Sequence, residues 1–284
     1  MGNHGLFSFV RVVAASLVLM LAGCATPPTP VERRGTADAL AREHRWQASL
    51  IQTPAFDLLV YQPDEVHQVD VLTVYIEGDG LAWLSPDQPS TDPTPIDPLS
   101  LKLALAQPDG TAVYLARPCQ YQMSPQCSER DWTDRRFAPD VIDSTNQAID
   151  TLKKRFHASE LNLVGYSGGG TVAALVAARR EDVARLVTVA GNLDPRAWAG
   201  YHRISPLEGS LDPVDEIISL QAIEQWHYVG EMDTNMPPSL AQSFANRFPV
   251  NRRPKVIVVP GLDHHRGWVR NWPALWWEIE RTRQ

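Results

Sequence analysis

The run Leu161-Asn162-Leu163-Val164-Gly165-Tyr166-Ser167-Gly168-Gly169-Gly170 sets one serine among glycines, after apolar residues and before an alanine-rich segment. It reads as a strand, a turn too tight for most side chains, and then a helix. Glycine spares such a turn the Cβ atoms that would clash. A hydroxyl at its apex stands beside the first N–H groups of the helix, where negative charge is favoured. This is the Gly-x-Ser-x-Gly elbow of a nucleophile that attacks carbonyl carbon. A phosphate loop would need Lys-Ser/Thr after the glycines, and the chain has none there.

A serine hydroxyl is inert unless a base takes its proton and a carboxylate holds that base in the right tautomer. Elbow serines are followed in chain order by the acid and then the histidine. Gln225 to Asp233 reads as a short strand running into a glycine turn that presents Asp233. Lys255 to Pro260 is the most strand-like run of the chain and ends in Gly261-Leu262-Asp263-His264-His265. His264 is the predicted base by its Gly-x-x-His spacing, with His265 as the alternative. Asp233 is the predicted acid, with Asp194 after the strand 184–190 as its rival. His202 and His227 read as structural, and Asp263 as a turn or capping residue.

The oxyanion formed during attack needs two backbone donors. The expected donors are the N–H groups of Gly168 and of Asp79 or Gly80, the latter two following a strand over 71–77. Glu77 in that strand reads as a hydrogen-bonding partner of the loop. No cofactor or metal is expected: the side chains of His264 and His265 diverge, and no second His/Asp cluster accompanies them.

These residues need a scaffold that brings distant segments together. Strand and helix signals alternate from Ser49 onward, which predicts an α/β fold with a mostly parallel central sheet and helices on both faces. Strands are predicted over 50–61, 71–77, 111–116, 160–166, 184–190, 226–230 and 255–260. Helices are predicted over 98–107, 138–157, 169–180, 237–247 and 273–282. Trp272, Leu275, Trp276 and Ile279 fall on one helical stripe that should be buried. The loops 85–98 and 118–139 are long enough to border a pocket, with Tyr121, Trp132 and Phe137 as its expected walls.

With these motifs in place, the chain resembles the α/β-hydrolase superfamily, and more narrowly its bacterial lipoprotein-type members. The resemblance rests on Tyr75 to Gly80 with Trp83, Arg117 to Tyr121, Gly165 to Gly169, and Asn192 to Asp194 with Trp198. It continues through Ser205 to Leu207, Gly209 to Leu211, Gly230 with Asp233, and Gly261 with His264 and Trp268. It spans about residues 50–284 and implies the fold and the set Ser167, Asp233 and His264, without a particular substrate. Arg266-Gly267 after the histidine is less typical of the group.

Near the N-terminus, Val12 to Ala22 is an apolar run too short to span a bilayer of roughly 30 Å. Leu21-Ala22-Gly23-Cys24 closes it with small residues before a cysteine, as in a cleaved secretory signal. The run is similar to bacterial lipoprotein signals, which implies lipidation of Cys24 and a membrane anchor in the cell envelope. Ala25 after the cysteine resembles lipoproteins sorted to the outer membrane. The expected division is a signal peptide over 1–23, a lipidated tether and linker over 24–48, and one domain over 49–284.

Past Cys24 only Cys119 and Cys127 remain, an even number in an oxidising compartment, and a disulfide between them is expected. The whole chain carries a net charge of −7. Without the signal, 25 cations against 33 acids leave −8, which makes nucleic acid and anionic lipid poor partners. The expected chemistry is hydrolysis of a small-molecule or lipid-like acyl substrate, chiefly a carboxylic ester. Acyl transfer by the same residues and a non-catalytic envelope scaffold are the alternatives.

Overall fold

Side-chain alternation along the strands decides the layers. In β3 (Val71–Ile76), Leu72, Val74 and Ile76 join one core cluster while Tyr75 joins the other. In β7 (Glu160–Tyr166), Leu161 and Leu163 face the first cluster, and Val164 and Tyr166 the second. A sheet apolar on both faces must be covered on both. The computed structural model describes residues 27–281 and shows this arrangement. The predicted signal peptide 1–23 and Cys24 lie outside the described residues.

The remaining strands are β1 (Trp46–Gln52), β2 (Asp57–Pro63), β6 (Thr111–Leu115), β8 (Val183–Val189), β9 (Glu224–Gly230) and β10 (Lys255–Val259). With β3 and β7 they form one eight-stranded sheet in the order β1-β2-β6-β3-β7-β8-β9-β10. β6, β3, β7, β8, β9 and β10 run parallel, and β1 and β2 antiparallel at one edge. A small ribbon, β4 (Trp83–Ser85) with β5 (Gln88–Pro89), projects from the loop after β3. The expected fold class is observed.

Helix α1 (Pro30–Glu43) starts at a capping box between Thr29 and Glu32. Chain order continues with α2 (Leu99–Leu105), α3 (Pro139–Arg155), α4 (Gly168–Ala177), α5 (Pro195–His202), α6 (Ile217–Leu220), α7 (Pro238–Ala245) and α8 (Trp268–Arg281). Helices α3 and α4 fill one face of the sheet, where Val141, Ile142, Ile149 and Leu152 meet Val172 and Leu175. Helices α1, α2 and α8 cover the other, with Ala37, Leu101 and Trp272 in one cluster. No helix among the described residues is long and apolar enough to cross a membrane.

Two predicted boundaries need correction. The single strand expected over 50–61 is the hairpin β1–β2, turning where the Thr53 N–H and hydroxyl both bond Phe56. Residues 30–43, expected as tether and linker, form α1, with Ala37 and Ala41 fully buried and Arg33 4% exposed. Prolines at 27, 28 and 30 suggested an extended tether, but Pro30 sits at N1, where proline's missing N–H costs nothing.

The stripe of α8 is buried as expected at Trp272, Trp276 and Ile279, joined by Trp268, while Leu275 is half-buried. Burial of each large side chain contributes about 1.5–3 kcal/mol. Trp272 also donates its Nε1–H to the Tyr75 hydroxyl at 2.9 Å, so α8 is fixed to the central strand. Trp272→Ala should lower unfolding stability by about 3–5 kcal/mol in urea titrations with an unchanged m-value. Trp272→Phe should cost distinctly less.

Candidate active site

At the end of β7 the chain must reverse within two residues. Ser167 takes φ 51° and ψ −122°, a left-handed conformation that a side-chain-bearing residue holds only when its surroundings enforce it. The Ser167 N–H donates to Val189 O at 3.0 Å, and the Asn192 N–H donates to Ser167 O at 2.9 Å. The turn is therefore sewn to the end of β8. Close approach explains the neighbouring glycines: a Cβ on Gly169 would meet Ile76 O at 2.4 Å, and one on Gly168 would meet Asp79 Oδ1 at 2.1 Å.

Three residues from separate parallel strands meet here. Ser167 Oγ lies 3.0 Å from His264 Nε2, and His264 Nδ1 lies 2.8 Å from Asp233 Oδ2. All three side chains are buried, Ser167 being 8% exposed. The other carboxylate oxygen of Asp233 accepts from the Asn235 and Met236 N–H groups, at 2.9 and 2.7 Å. That turn fixes the carboxylate's rotation and leaves Oδ2 for the imidazole. The arrangement can activate a hydroxyl and hold the resulting imidazolium beside a fixed negative charge.

The alternatives sit elsewhere. His265 Nδ1 lies 2.7 Å from the Tyr166 hydroxyl rather than against Ser167; burial, then the nearby His264, lowers its pKa. Asp194 caps α5 through the Ala197 N–H at 2.8 Å and pairs with Arg247 at 2.9 Å. Asp263 accepts from the His265 and Arg266 N–H groups as a turn residue. His202 bonds Asn235 O, and His227 bonds the Thr188 hydroxyl. Among the described residues, no group of three or more His, Cys, Asp or Glu is placed to hold a metal ion.

The loop after β3 runs beside the serine, since a Cβ on Gly78 would meet Ser167 Cβ at 3.2 Å. No backbone acceptor among the described residues takes the N–H of Gly168, Asp79 or Gly80. Gly80 has φ +63° and packs so tightly on Pro93 O that a Cβ would come within 2.0 Å. The carboxylate of Asp79 bonds Arg136 Nη1 at 2.7 Å and Arg117 Nη1 at 3.1 Å. Burial would raise the Asp79 pKa, but the Arg136 and Arg117 guanidiniums together hold it below the usual range. Gln120 adds a bond from Nε2 to Gly78 O at 2.9 Å.

These three supports come from the connection between β6 and α3, within which the disulfide Cys119–Cys127 closes a short segment holding Gln120, its Cα atoms 5.8 Å apart. Sequence reasoning expected the disulfide but missed Arg136. The one available signal was a pair of arginines flanking a cysteine loop. Glu77 accepts from the Gly78 N–H at 3.0 Å and the Ser100 N–H at 3.4 Å. Its burial raises the pKa to about 7.

Ser167 opens into a cavity of about 860 Å³. Pro86, Pro95 and Ile96 of the first long loop line it, as expected. The second loop contributes Thr133, Asp134 and Arg136, not the expected aromatics. Phe137 is fully buried, Trp132 donates Nε1–H to Ser90 O at 3.0 Å, and Tyr121 stacks edge-on against Tyr61. Large apolar rings go to the core and leave their polar neighbours facing the pocket. Trp198, Ile204 and Leu207 complete the far wall.

No protein-family model matches the sequence, and no curated protein does. Solved structures match in fold. Est1E from Butyrivibrio proteoclasticus aligns with TM-score 0.59 at 12% identity, covering 84% of this chain and 99% of its own. XC6422 from Xanthomonas campestris, described as an a/b serine hydrolase without lid, aligns with TM-score 0.55 at 16% identity, covering 84% and 95%. A membrane phospholipase A, described as a bacterial virulence factor, aligns with TM-score 0.52 at 14% identity, covering 97% and 96%. The chain has the α/β-hydrolase fold.

Two consequences are measurable. Asp79→Asn should release one or both arginines and shift the loop, slowing the reaction of Ser167 with a fluorophosphonate by about 10- to 100-fold with native-like circular dichroism. An unchanged labelling rate would remove Asp79 from any positioning role. The second concerns pH and stability. Glu77 keeps a proton in the folded state between an ordinary 4.5 and about 7, so its contribution falls as pH rises through that window. Burial holds the His227 pKa at about 3, against an ordinary 6.5, so its contribution falls as pH drops from about 6.5. Between pH 4.5 and 6.5 the two oppose each other. Glu77→Gln should make acid destabilisation steeper than in wild type, and His227→Gln shallower. Parallel stability curves would contradict both assignments.

Proposed function

We propose that the protein is a serine hydrolase that cleaves a carboxylic ester through an acyl-enzyme on Ser167. The observation that carries this reading is the continuous chain Ser167 Oγ–His264 Nε2–Asp233, with bonds of 3.0 and 2.8 Å, opening into a largely apolar cavity. His264 takes the hydroxyl proton as Oγ attacks the ester carbonyl carbon. The N–H groups of Gly168 and of Asp79 or Gly80 receive the charge that develops on the carbonyl oxygen. Collapse breaks the bond to the leaving alcohol, which receives the proton from His264. Water then attacks the acyl carbon, giving its proton to His264, and Ser167 leaves with that proton restored.

Asp233 orients the imidazole throughout. The neighbouring guanidiniums of Arg117 and Arg136 neutralise Asp79, so its carboxylate does not oppose the developing oxyanion. The cavity's volume and apolar walls suit an acyl chain, and the fold likeness to a membrane phospholipase A supports a lipid-like substrate. The signal ending at Cys24 supports secretion and lipid anchoring in a bacterial envelope, facing the periplasm from the outer membrane.

Ser167→Ala should abolish labelling by a fluorophosphonate and lower ester turnover by roughly 10⁴-fold or more. Undiminished labelling of this variant would assign the nucleophile to another residue.

A further inference from the structure

The mouth of the cavity carries more apolar surface than its interior requires. Trp83 and Leu84 of β4, Ile96 of the long loop and Ile204 after α5 are 39–46% exposed. Trp83, Ile96 and Ile204 line the cavity, while Leu84 lies beside Trp83 on the projecting ribbon. The rim carries charge of both signs, mostly paired: Asp97 and Asp134 line the cavity and pair with Lys102 and Arg130, Arg136 pairs with Asp79, Asp87 sits in the ribbon turn, and exposed Arg203 precedes Ile204.

The N-terminal helix is tied to the segment that leads into this rim. Arg33, one turn into α1, donates from Nη1 to Asp92 O at 3.2 Å and to Thr94 O, and pairs with the Asp92 carboxylate at 3.5 Å. That segment continues into Pro95 and Ile96 at the mouth. Its Pro93 O accepts from the Leu81 N–H at 3.1 Å, beside Gly80. Only five residues lie between Cys24 and Pro30, and the six Cα–Cα steps reach at most about 20 Å.

We propose that this rim is a membrane-docking surface, and that its partner is the bilayer in which Cys24 is anchored. The substrate is then an acyl lipid drawn from that bilayer into the cavity. A short leash attached at the rim sets the mouth toward the surface that holds it. Trp83, Leu84, Ile96 and Ile204 enter the headgroup boundary, as apolar side chains of interfacial proteins do. The chain's net charge of −7 favours a zwitterionic surface over an anionic one. The inference rests on the ester-hydrolase reading and on the anchor at Cys24.

The test uses the full chain with its own leader, reconstituted into phosphatidylcholine vesicles. With Cys119 and Cys127 bonded and Cys24 acylated, a cysteine introduced at Leu84 is the free thiol for an environment-sensitive NBD label. Val250, which is 84% exposed and precedes β10 at the opposite end of the sheet, is the control. NBD at Leu84→Cys should shift to shorter wavelength and be quenched by nitroxide lipid, and NBD at Val250→Cys should not. Leu84→Glu should keep kcat/KM for p-nitrophenyl butyrate within about twofold. It should lower hydrolysis of vesicle phosphatidylcholine by roughly fivefold or more.

A label at Leu84 that stays in water, or equal response at both positions, overturns the docking surface. So does full vesicle activity in Leu84→Glu, or an enzyme that turns over p-nitrophenyl butyrate but no vesicle lipid. Absence of both p-nitrophenyl butyrate turnover and fluorophosphonate labelling in wild type would instead defeat the hydrolase reading. The fluorescence readout decides the orientation independently of it.

Discussion

A serine backbone held at positive φ is the constraint on which the other features converge. The conformation costs on the order of 1–3 kcal/mol for a non-glycine residue and persists only where neighbours over-determine it. Here the end of β8 supplies two backbone bonds to Ser167, and α4 begins at the next residue. The end of β3 and the loop after it lie so close that two successive glycines, Gly168 and Gly169, are needed to admit them. Fixing that one residue fixes the edge of the sheet, and the loops carrying Asp233 and His264 leave from the same edge.

The Asp79 carboxylate beside the elbow is compensated in a low-dielectric setting. Asp79 lies against Gly168, where an unpaired carboxylate would disfavour any negative charge forming nearby. Two guanidiniums answer it, one on each side of the segment that the Cys119–Cys127 bond closes. A buried ion pair is a poor source of stability but a strong source of geometric definition. The same loop also holds Gly78 O through Gln120. Covalent closure of a surface loop thereby reaches the backbone beside Ser167.

How much was legible in the sequence follows from how local each signal is. The elbow, the turn at Asp233 and the glycine-led loop before His264 are short strings whose meaning does not depend on distant residues. The parallel strands were equally readable, because strands buried on both faces are nearly continuous apolar runs. The choice between His264 and His265 turned on a two-residue spacing; in the structure Ser167 and Asp233 meet the first imidazole and the Tyr166 hydroxyl the second. The pocket wall was misread for a physical reason: Trp132 and Phe137 are as suited to a core as to a ligand. Which neighbour faces the cavity depends on the path of the loop, and no periodicity encodes that. Helix α1 was hidden by prolines that mark a helix start as readily as a linker.

The contacts of α1 bear on where this protein can be cut. A soluble version begun at the first predicted strand, near residue 49, would discard the helix that buries Ala37 and Ala41 on the sheet. It would also remove the guanidinium that grips the carbonyls of Asp92 and Thr94. Gly80 leans on that same segment, so the deletion would slacken the backbone two residues from Gly78, far from the cut in sequence. The smallest unit worth expressing therefore starts before Thr29, where the capping box begins.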